Sequence, residues 1–390
     1  MAGLYIHIPF CKQRCIYCDF YSTTYGISIR EKYLVAIGNE MILRHSEIPD
    51  EPLQTIYIGG GTPSLLTIEE LTNLFRTIRL HFAIAENAEV TMEANPDDLS
   101  ESYVEELKKL PINRLSIGIQ SFNDIQLRFL RRRHDSYQAK EAVRRCRQAG
   151  FENISIDLIY GLPNQSLKDW KEDLHQALGL GIQHLSAYAL IYEEDTLLWK
   201  MRKQQTIKEA SEELSLQMFE YLIDTAREAG LLHYEISNFA LPGHISRHNS
   251  SYWKGIPYLG IGPGAHSYDG KNRQWNHSHL EYYLKADGDV NKKIMGYSLS
   301  EKEFLTEDER YNDYILVSLR TSEGLDIALL KQLFGEERCR YALRMAAPYL
   351  KEKMLEQVAP TLDSPEGVLR LTRKGIFISD RLMSDLLIVS

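Results

Sequence analysis

The sequence predicts an α/β protein: a partial (β/α)6 barrel followed by a smaller, mainly helical, winged-helix-like C-terminal domain. Three observations carry that expectation. Six short β-rich runs recur roughly 25 to 40 residues apart through the first half of the chain. Helical patterns lie between them. Past about residue 299 the pattern turns helical and closes on a small strand signal, "VLRLT". Strand–helix alternation of this kind argues for parallel strands with helical crossovers. About six such units give an open or partial barrel, not a closed eight-fold one, and the chemistry of such folds gathers at the C-terminal strand ends.

The elements follow in order. "LYIHIPF" is the first strand, and "SIREKYLVAIGNEMILRH" the helix after it. "TIYIGGG" is the second strand, and "TIEELTNLFRTIRLHF" begins its helix with Thr67 ahead of Glu69 and Glu70, an N-terminal signature. "EVTMEAN" precedes "SESYVEELKKL", which Ser100 caps. "RLSIGIQS" precedes "SYQAKEAVRRCRQAG", stopped by Gly150, and "NISIDLIYG" precedes "SLKDWKEDLHQALGL", stopped by Gly181. "HLSAYAL" is the sixth strand. From about Leu197 a long helical stretch, "TIKEASEELSLQMFEYLIDTAREAG", leads into a Gly-, His- and Tyr-rich region. The expected divisions are a barrel over 1–235, a connecting region over 236–298 and the C-terminal domain over 299–390.

The length of 390 residues suggests two or three domains, and 44% hydrophobic with 25% charged residues is ordinary for a soluble globular chain. A net charge of −9 opposes a nucleic-acid partner. The basic run "RFLRRRHDSYQAKEAVRRCRQ" reads as a solvated helix face, part of which could meet an anionic ligand. Five cysteines without a regular pattern do not make a disulfide framework, which points to reduced thiols and a cytoplasmic location. The first residues have no basic n-region, and Pro9 breaks their apolar run, so no signal peptide is expected. Without a run of 18 apolar residues, no membrane anchor is expected either.

Three of the five cysteines sit in "FCKQRCIYCDF" with the spacing C-x3-C-x2-C. No matching second ligand set follows, as a zinc finger would need. Three thiolates in one loop suit a [4Fe-4S] cluster with one iron left open for a ligand. Cys11, Cys15 and Cys18 are the expected cluster ligands. Other unusual residues gather at the strand ends: "GGGTP" after the second strand, Glu93 and Asn95 ending the third, Gln120 the fourth, and Asp157 with "YGLP" the fifth. Glycines permit close backbone approach. Carboxylates can accept both hydroxyls of a ribose, and Arg132 could pair bidentately with a carboxylate, although "RRR" offers neighbours with the same chemistry. Cys146 and Cys339 are assigned no function, and no catalytic residue is named.

With an aromatic, Tyr17, just before the third cysteine, the motif resembles the signature of the radical S-adenosylmethionine (radical SAM) superfamily. That resemblance implies that the amino and carboxylate groups of S-adenosylmethionine chelate the open iron. The reduced cluster then cleaves the sulfonium to methionine and a 5'-deoxyadenosyl radical. The strings "YIHIPFCKQRCIYCDF", "IYIGGGTPSLL", "MEANPD", "SIGIQSF", "IDLIYGLPNQ" and "LTRKGIFISDRLM" resemble the oxygen-independent coproporphyrinogen III oxidases and their relatives over about residues 4 to 385. On that pattern Tyr5, Gly60, Gly61, Thr62, Glu93, Gln120, Arg132 and Asp157 contact S-adenosylmethionine.

Two departures point away from the oxidase and toward its sister group, the heme chaperone HemW family. Phe20 stands where the oxidase has a fourth cysteine, and only ten residues precede Cys11. "HNSSYW" resembles that family's heme-associated H-N-x-x-Y-W motif, which implicates His248, Asn249, Tyr252 and Trp253 in heme binding. An imidazole can ligate heme iron, and aromatic rings can flank a flat macrocycle. The resemblance therefore implies a carrier without classical turnover, holding heme, a [4Fe-4S] cluster and S-adenosylmethionine. Its partners would be acceptor hemoproteins, including membrane-associated ones, and it admits a homodimer. The alternative is a radical SAM oxidoreductase acting on a porphyrin: a coproporphyrinogen III dehydrogenase or an anaerobic heme-modifying enzyme.

Overall fold

A computed structural model describes residues 2–24, 26–361 and 364–389. Strands β1 (Gly3–Ile8), β2 (Leu53–Gly60), β3 (Ile84–Ala94), β4 (Arg114–Gln120), β5 (Ile154–Tyr160) and β6 (His184–Ala189) pair in chain order, every pair parallel. The crossovers are α1 (Ile27–Arg44), α2 (Ile68–His81), α3 (Glu101–Leu107), α4 (Asp124–Phe129) with α5 (Ser136–Gln148), and α6 (Leu167–Gly179). This is the partial barrel expected from the alternation. The start and stop signals work as read: Thr67 and Glu70 form a capping box, and Gly150 and Gly181 take left-handed conformations at φ +89° and +64°.

Alternation along each strand sorts the residues. Leu4, Ile6 and Ile8, Ile56 and Ile58, and Leu115, Ile117 and Ile119 are buried with the apolar core. Their neighbours in sequence point the other way, into the barrel, as a period of two requires. The interior is therefore lined by Tyr5, His7, Thr55, Tyr57, Glu93, Arg114, Ser116, Asp157 and Ser186.

Two differences from the sequence reading concern the middle of the chain. The long helix expected over 206–230 is shorter: after α7 (Leu197–Lys203), α8 spans Glu212–Glu228 because Ser211 caps it, accepting from the Leu214 amide. The connecting region 236–298 is not a separate unit. The hairpin β7 (Leu232–Glu235) and β8 (Asn238–Ala240) adds antiparallel to β6, and α9 (Arg247–Trp253) follows. The chain then returns to the opposite edge, where β9 (Tyr258–Ile261) pairs parallel with β1. Strands β10 (His266–Tyr268) and β11 (Asn272–Asn276) follow. After α10 (Leu280–Lys285) and a small hairpin of β12 (Lys293–Ile294) and β13 (Tyr297–Ser298), β14 (Ser300–Phe304) completes a 12-stranded sheet.

The return is locked by a buried polar cluster. Glu40 on α1 meets Arg44 at 2.7 Å and accepts from Asn276 at 2.7 Å, Tyr283 at 2.6 Å and the Gly262 amide at 2.8 Å. Arg44 also donates to the Gly260 carbonyl at 3.0 Å. One apolar core accordingly runs from Ala2 to Leu299.

A second core spans Tyr311 to Leu386. It packs α11 (Glu307–Leu319) against α12 (Ile327–Lys351), which breaks at Gly335 with φ +84°. The "VLRLT" signal is the central strand of a three-stranded sheet: β17 (Val368–Leu371) between β15 (Leu325–Asp326) and β16 (Leu355–Val358). Cys146 lies in the first core and Cys339 in the second, both buried. Among the described residues no helix is long and apolar enough to cross a membrane.

Candidate functional site

A cavity of about 450 Å³ opens at the C-terminal ends of β1–β6, the size range of small-molecule sites. One wall is the loop after β1. That loop is pinned at two apolar residues. Phe10 is buried edge-on to Tyr33, and the chain beside it is held by Cys11 N to Thr23 O at 2.8 Å and Thr23 N to Pro9 O at 2.6 Å. Ile16 is buried and accepts from the Leu198 amide at 2.9 Å. Cys11 and Cys15 between these anchors, and Cys18 just past the second, all line the cavity.

Two donors reach the sulfurs: Thr62 Oγ1 to Cys11 at 3.4 Å, and Arg132 Nη1 to Cys15 at 3.3 Å. Among the described residues no three His, Cys, Asp or Glu side chains gather as a single metal ion would need. The three thiols instead share one wall. Thiolates with hydrogen-bond donors at the sulfurs are the donor set a [4Fe-4S] cluster takes, so the residues fit that group. Burial raises the Cys11 thiol and pushes Cys18 up to about 12. Tyr17 is held in a satellite apolar cluster with Leu130, Ile159 and Leu162.

The opposite walls carry the strand-end residues. Gly60, Gly61, Thr62, Glu93, Gln120, Arg132 and Asp157 all line the cavity. Glu93 accepts from Tyr57 Oη at 2.8 Å and from the Gly60 amide at 3.0 Å. Burial, with Asp157 as a nearby negative charge, pushes its carboxyl up to about 7 against those hydrogen bonds. Asp157 accepts from Ser116 at 3.3 Å, and burial raises it to about 6. Gln120 holds a left-handed conformation at φ +73° where β4 ends. Two acceptors, an amide and an exposed backbone edge in one cavity fit a nucleoside joined to an amino acid.

Three expectations change. Tyr5 does not line the cavity. It is buried behind Tyr57, with ring centroids 6.1 Å apart, and its hydroxyl bonds His7 Nδ1 at 3.0 Å. The glycines are required by the protein itself and not only by a ligand: a Cβ on Gly61 would stand 2.8 Å from the Ile8 and Phe10 carbonyl oxygens, and one on Gly60 would stand 2.5 Å from the His7 ring.

Of the "RRR" arginines only Arg132 enters the cavity, since Arg131 is exposed and Arg133 pairs with Asp97 and Asp98. Its fork, however, is already committed. Nη1 reaches Cys15, Nη2 donates to Asn95 at 2.6 Å and to the Gly118 carbonyl, and Nε alone is buried without a partner. A bidentate grip on a carboxylate is not available in this arrangement.

The heme motif is also displaced from expectation. His248 is 1% exposed and lies inside the barrel. Its Nδ1 bonds Thr55 Oγ1 at 2.8 Å and its Nε2 bonds Tyr252 Oη at 2.8 Å, so neither ring nitrogen is free for iron. Burial lowers its basicity to about 3. Trp253 packs against the Arg320 guanidinium, 5.4 Å from its ring centroid. Asn249, by contrast, lines the cavity.

Sequence reasoning missed Tyr57, Arg114, Ser116, Ser186 and Tyr188 as cavity residues. Arg114 and Ser116 lie six and four positions before Gln120 on β4, so a period-two signal was present there; on β6 no residue had been singled out to set the phase for Ser186 and Tyr188.

Residues 5–177 match the model of the Radical SAM superfamily. The chain is 33% identical over 383 residues to the heme chaperone HemW of Bacillus subtilis (strain 168), an alignment covering 98% of each chain. It is 37% identical over 337 residues to that of Lactococcus lactis, covering 86% of this chain and 85% of the relative. In structure it resembles the coproporphyrinogen III oxidase of Escherichia coli with a TM-score of 0.82 at 24% identity, over 99% of this chain and 89% of that one.

Proposed function

The chain belongs to the heme chaperone HemW family of the radical SAM superfamily, and from that premise we propose that it binds heme and passes it to acceptor hemoproteins in the cytoplasm. The observation that carries this reading is the end-to-end match to a HemW protein, which spans both cores. The likeness to the oxidase lies at 24% identity and speaks for the fold alone.

In this reading Cys11, Cys15 and Cys18 hold a [4Fe-4S] cluster, and S-adenosylmethionine fills the cavity between the cluster loop and the strand ends. When bound, the pair supplies one-electron cleavage of the sulfonium. The chain's own residues bind and orient: Glu93 and Asp157 accept the ribose hydroxyls, Gln120 faces the base, and the Gly60–Thr62 edge receives the amino acid. Tyr5 supports Tyr57 from behind.

Heme is cargo, and its seat on "HNSSYW" would require His248 to abandon two hydrogen bonds inside the barrel. A better seat is the cavity mouth. Phe20, Ile191 and Tyr188 line it while 62%, 65% and 43% exposed. Large apolar side chains left open around a cavity mark a binding surface, and the flat rings of Phe20 and Tyr188 suit a macrocycle.

The test is an anaerobic heme titration of the cluster-loaded protein followed by Soret absorbance. A saturable band near one heme per chain is expected. It should persist in Cys11→Ser and weaken at least tenfold in the double variant Phe20→Asp, Ile191→Asp. Absence of a specific band, with conversion of coproporphyrinogen III coupled to S-adenosylmethionine consumption, would put the oxidoreductase reading in its place.

A further inference from the structure

The helix that carries "HNSSYW", α9, lies against the lower ends of β2 and β3, and its buried side reaches the barrel interior. Its backbone is tied down by the opposite strand: the Arg247 and His248 amides donate to the two oxygens of Glu89, each at 2.9 Å. The Arg247 guanidinium adds bonds to the Asn87 carbonyl at 2.6 Å and to Gln54 at 3.3 Å. From that base two side chains reach upward. Asn249 touches the cavity directly. The His248 ring stacks on Tyr57, with centroids 5.0 Å apart and planes at 28°. Thr55 and Tyr252 fix both of its nitrogens, so the ring cannot turn without losing a bond. Tyr57 in turn donates to Glu93 at 2.8 Å, and Glu93 is the carboxylate that faces the ligand space. An unbroken line of contacts therefore runs from α9 to the strand-end carboxylate.

Resting on the reading of this cavity as the S-adenosylmethionine site, we propose that "HNSSYW" is a working part of that site. Asn249 is a direct contact for the ligand's polar groups, and His248 is a positioning residue that acts through Tyr57 on Glu93. The geometry gives this reason for a histidine at 248: an aromatic plane to stack on Tyr57, with two ring nitrogens to anchor that plane between Thr55 and Tyr252. Phenylalanine would keep the plane and lose the anchors. Alanine would lose both.

Binding of S-adenosylmethionine to the full-length, cluster-loaded protein, by anaerobic equilibrium dialysis with heme titration in parallel, tests this. Asn249→Ala and Tyr57→Phe are expected to weaken S-adenosylmethionine affinity at least fivefold, with heme affinity within twofold of wild type. His248→Ala should weaken it about tenfold and His248→Phe less. His248→Ala with Tyr57→Phe should be no worse than the poorer single variant, because both act through one contact. Tyr57→Phe and Asn249→Ala remove few atoms, so they report even where His248→Ala loosens the fold, which its melting temperature would show. S-adenosylmethionine affinity unchanged in both of these variants overturns the proposal. So does loss of heme affinity with S-adenosylmethionine binding intact, which would return the motif to heme. If the wild type fails to bind S-adenosylmethionine, the reading of the cavity falls and the proposal with it.

Discussion

Glu93 offers the sharpest test of how the cavity holds its ligand. Its carboxyl lies near about 7 because burial and Asp157 outweigh the Tyr57 and Gly60 hydrogen bonds. Only the ionised form can accept both hydroxyls of a ribose. The ionised fraction is then about one-eleventh at pH 6 and about ten-elevenths at pH 8, so affinity through Glu93 falls about tenfold as pH drops across that range. Asp157, near about 6, stays at least half ionised and adds only about twofold. The α-amino group of S-adenosylmethionine also titrates near this range, but identically for any variant. The comparison is therefore with Glu93→Gln, which keeps the shape and one of the two acceptor oxygens but does not titrate. The ratio of Glu93→Gln to wild-type Kd, measured by equilibrium dialysis, should rise about tenfold from pH 6 to pH 8. A ratio constant within twofold would mean that Glu93 does not receive the ribose as an anion.

Three further outcomes are expected. Glu40→Ala leaves Arg44 with Glu47 as its remaining carboxylate and takes the acceptor from the buried Tyr283 hydroxyl and the Gly262 amide; urea unfolding should show a loss of at least about 2 kcal/mol, on the order of 1–3 kcal/mol for each orphaned donor, and a loss under about 1 kcal/mol would make the cluster a spectator. Gly61→Ala sets a Cβ 2.8 Å from two carbonyl oxygens at the root of the cysteine loop; it should cost about 1–3 kcal/mol and lower iron and sulfide per chain after reconstitution, whereas wild-type iron content would show that the loop gives way freely. The buried imidazoles of His7, His134 and His248 are depressed to about 4, 3 and 3, so the unfolded chain binds more protons below pH 6.5, and their contribution to stability is present above that pH and lost as it falls. Glu93 and Asp157, raised by burial, oppose this between about pH 4 and 7. Urea midpoints from pH 6.5 to 4.5 should therefore fall less steeply for His134→Asn than for wild type, and parallel slopes would refute the assignment.

The six barrel strands were legible because each is buried on both faces and bounded by turn residues, and their helices carry side-chain caps such as Thr67 and Ser100. The ends of β2 and β4 were legible because Gly60 and Gln120 close apolar runs there, and Asp157 stood out as an acid inside the apolar run of β5. Tyr57, Ser116 and Ser186 did not, since a tyrosine or serine inside a strand is common and only the third dimension shows that they face one space. The strand pairing after residue 236 was not legible for a different reason. The strands there are two to five residues long, and their pairing partners lie up to 255 residues away, as with Gly3 and Tyr258. Local pattern carries almost no information about such pairing. The burial of His248 follows from that same return and could not be read before it.

The barrel also divides stability from binding within single strands. On β4, Ile117 is fully buried in the apolar core, while Ser116 points into the barrel and bonds Asp157 at 3.3 Å. A polar interior is costly unless its groups are paired or meet a ligand, so the outward faces must supply the cohesion. Arg114 shows the cost most plainly: it is 1% exposed, lines the cavity floor, and its Nε has no partner. The consequence is a separation of effects one residue apart. Ile117→Ala removes core packing and should cost about 2–5 kcal/mol in urea unfolding while leaving S-adenosylmethionine affinity within about twofold at temperatures where the protein is folded. Ser116→Ala should cost about 1 kcal/mol or less and weaken the ligand severalfold, because Asp157 loses a bond that holds it in its ionised form. If both changes moved stability and affinity together, the two faces of the strand would not be independent, and the polar interior would be part of the scaffold.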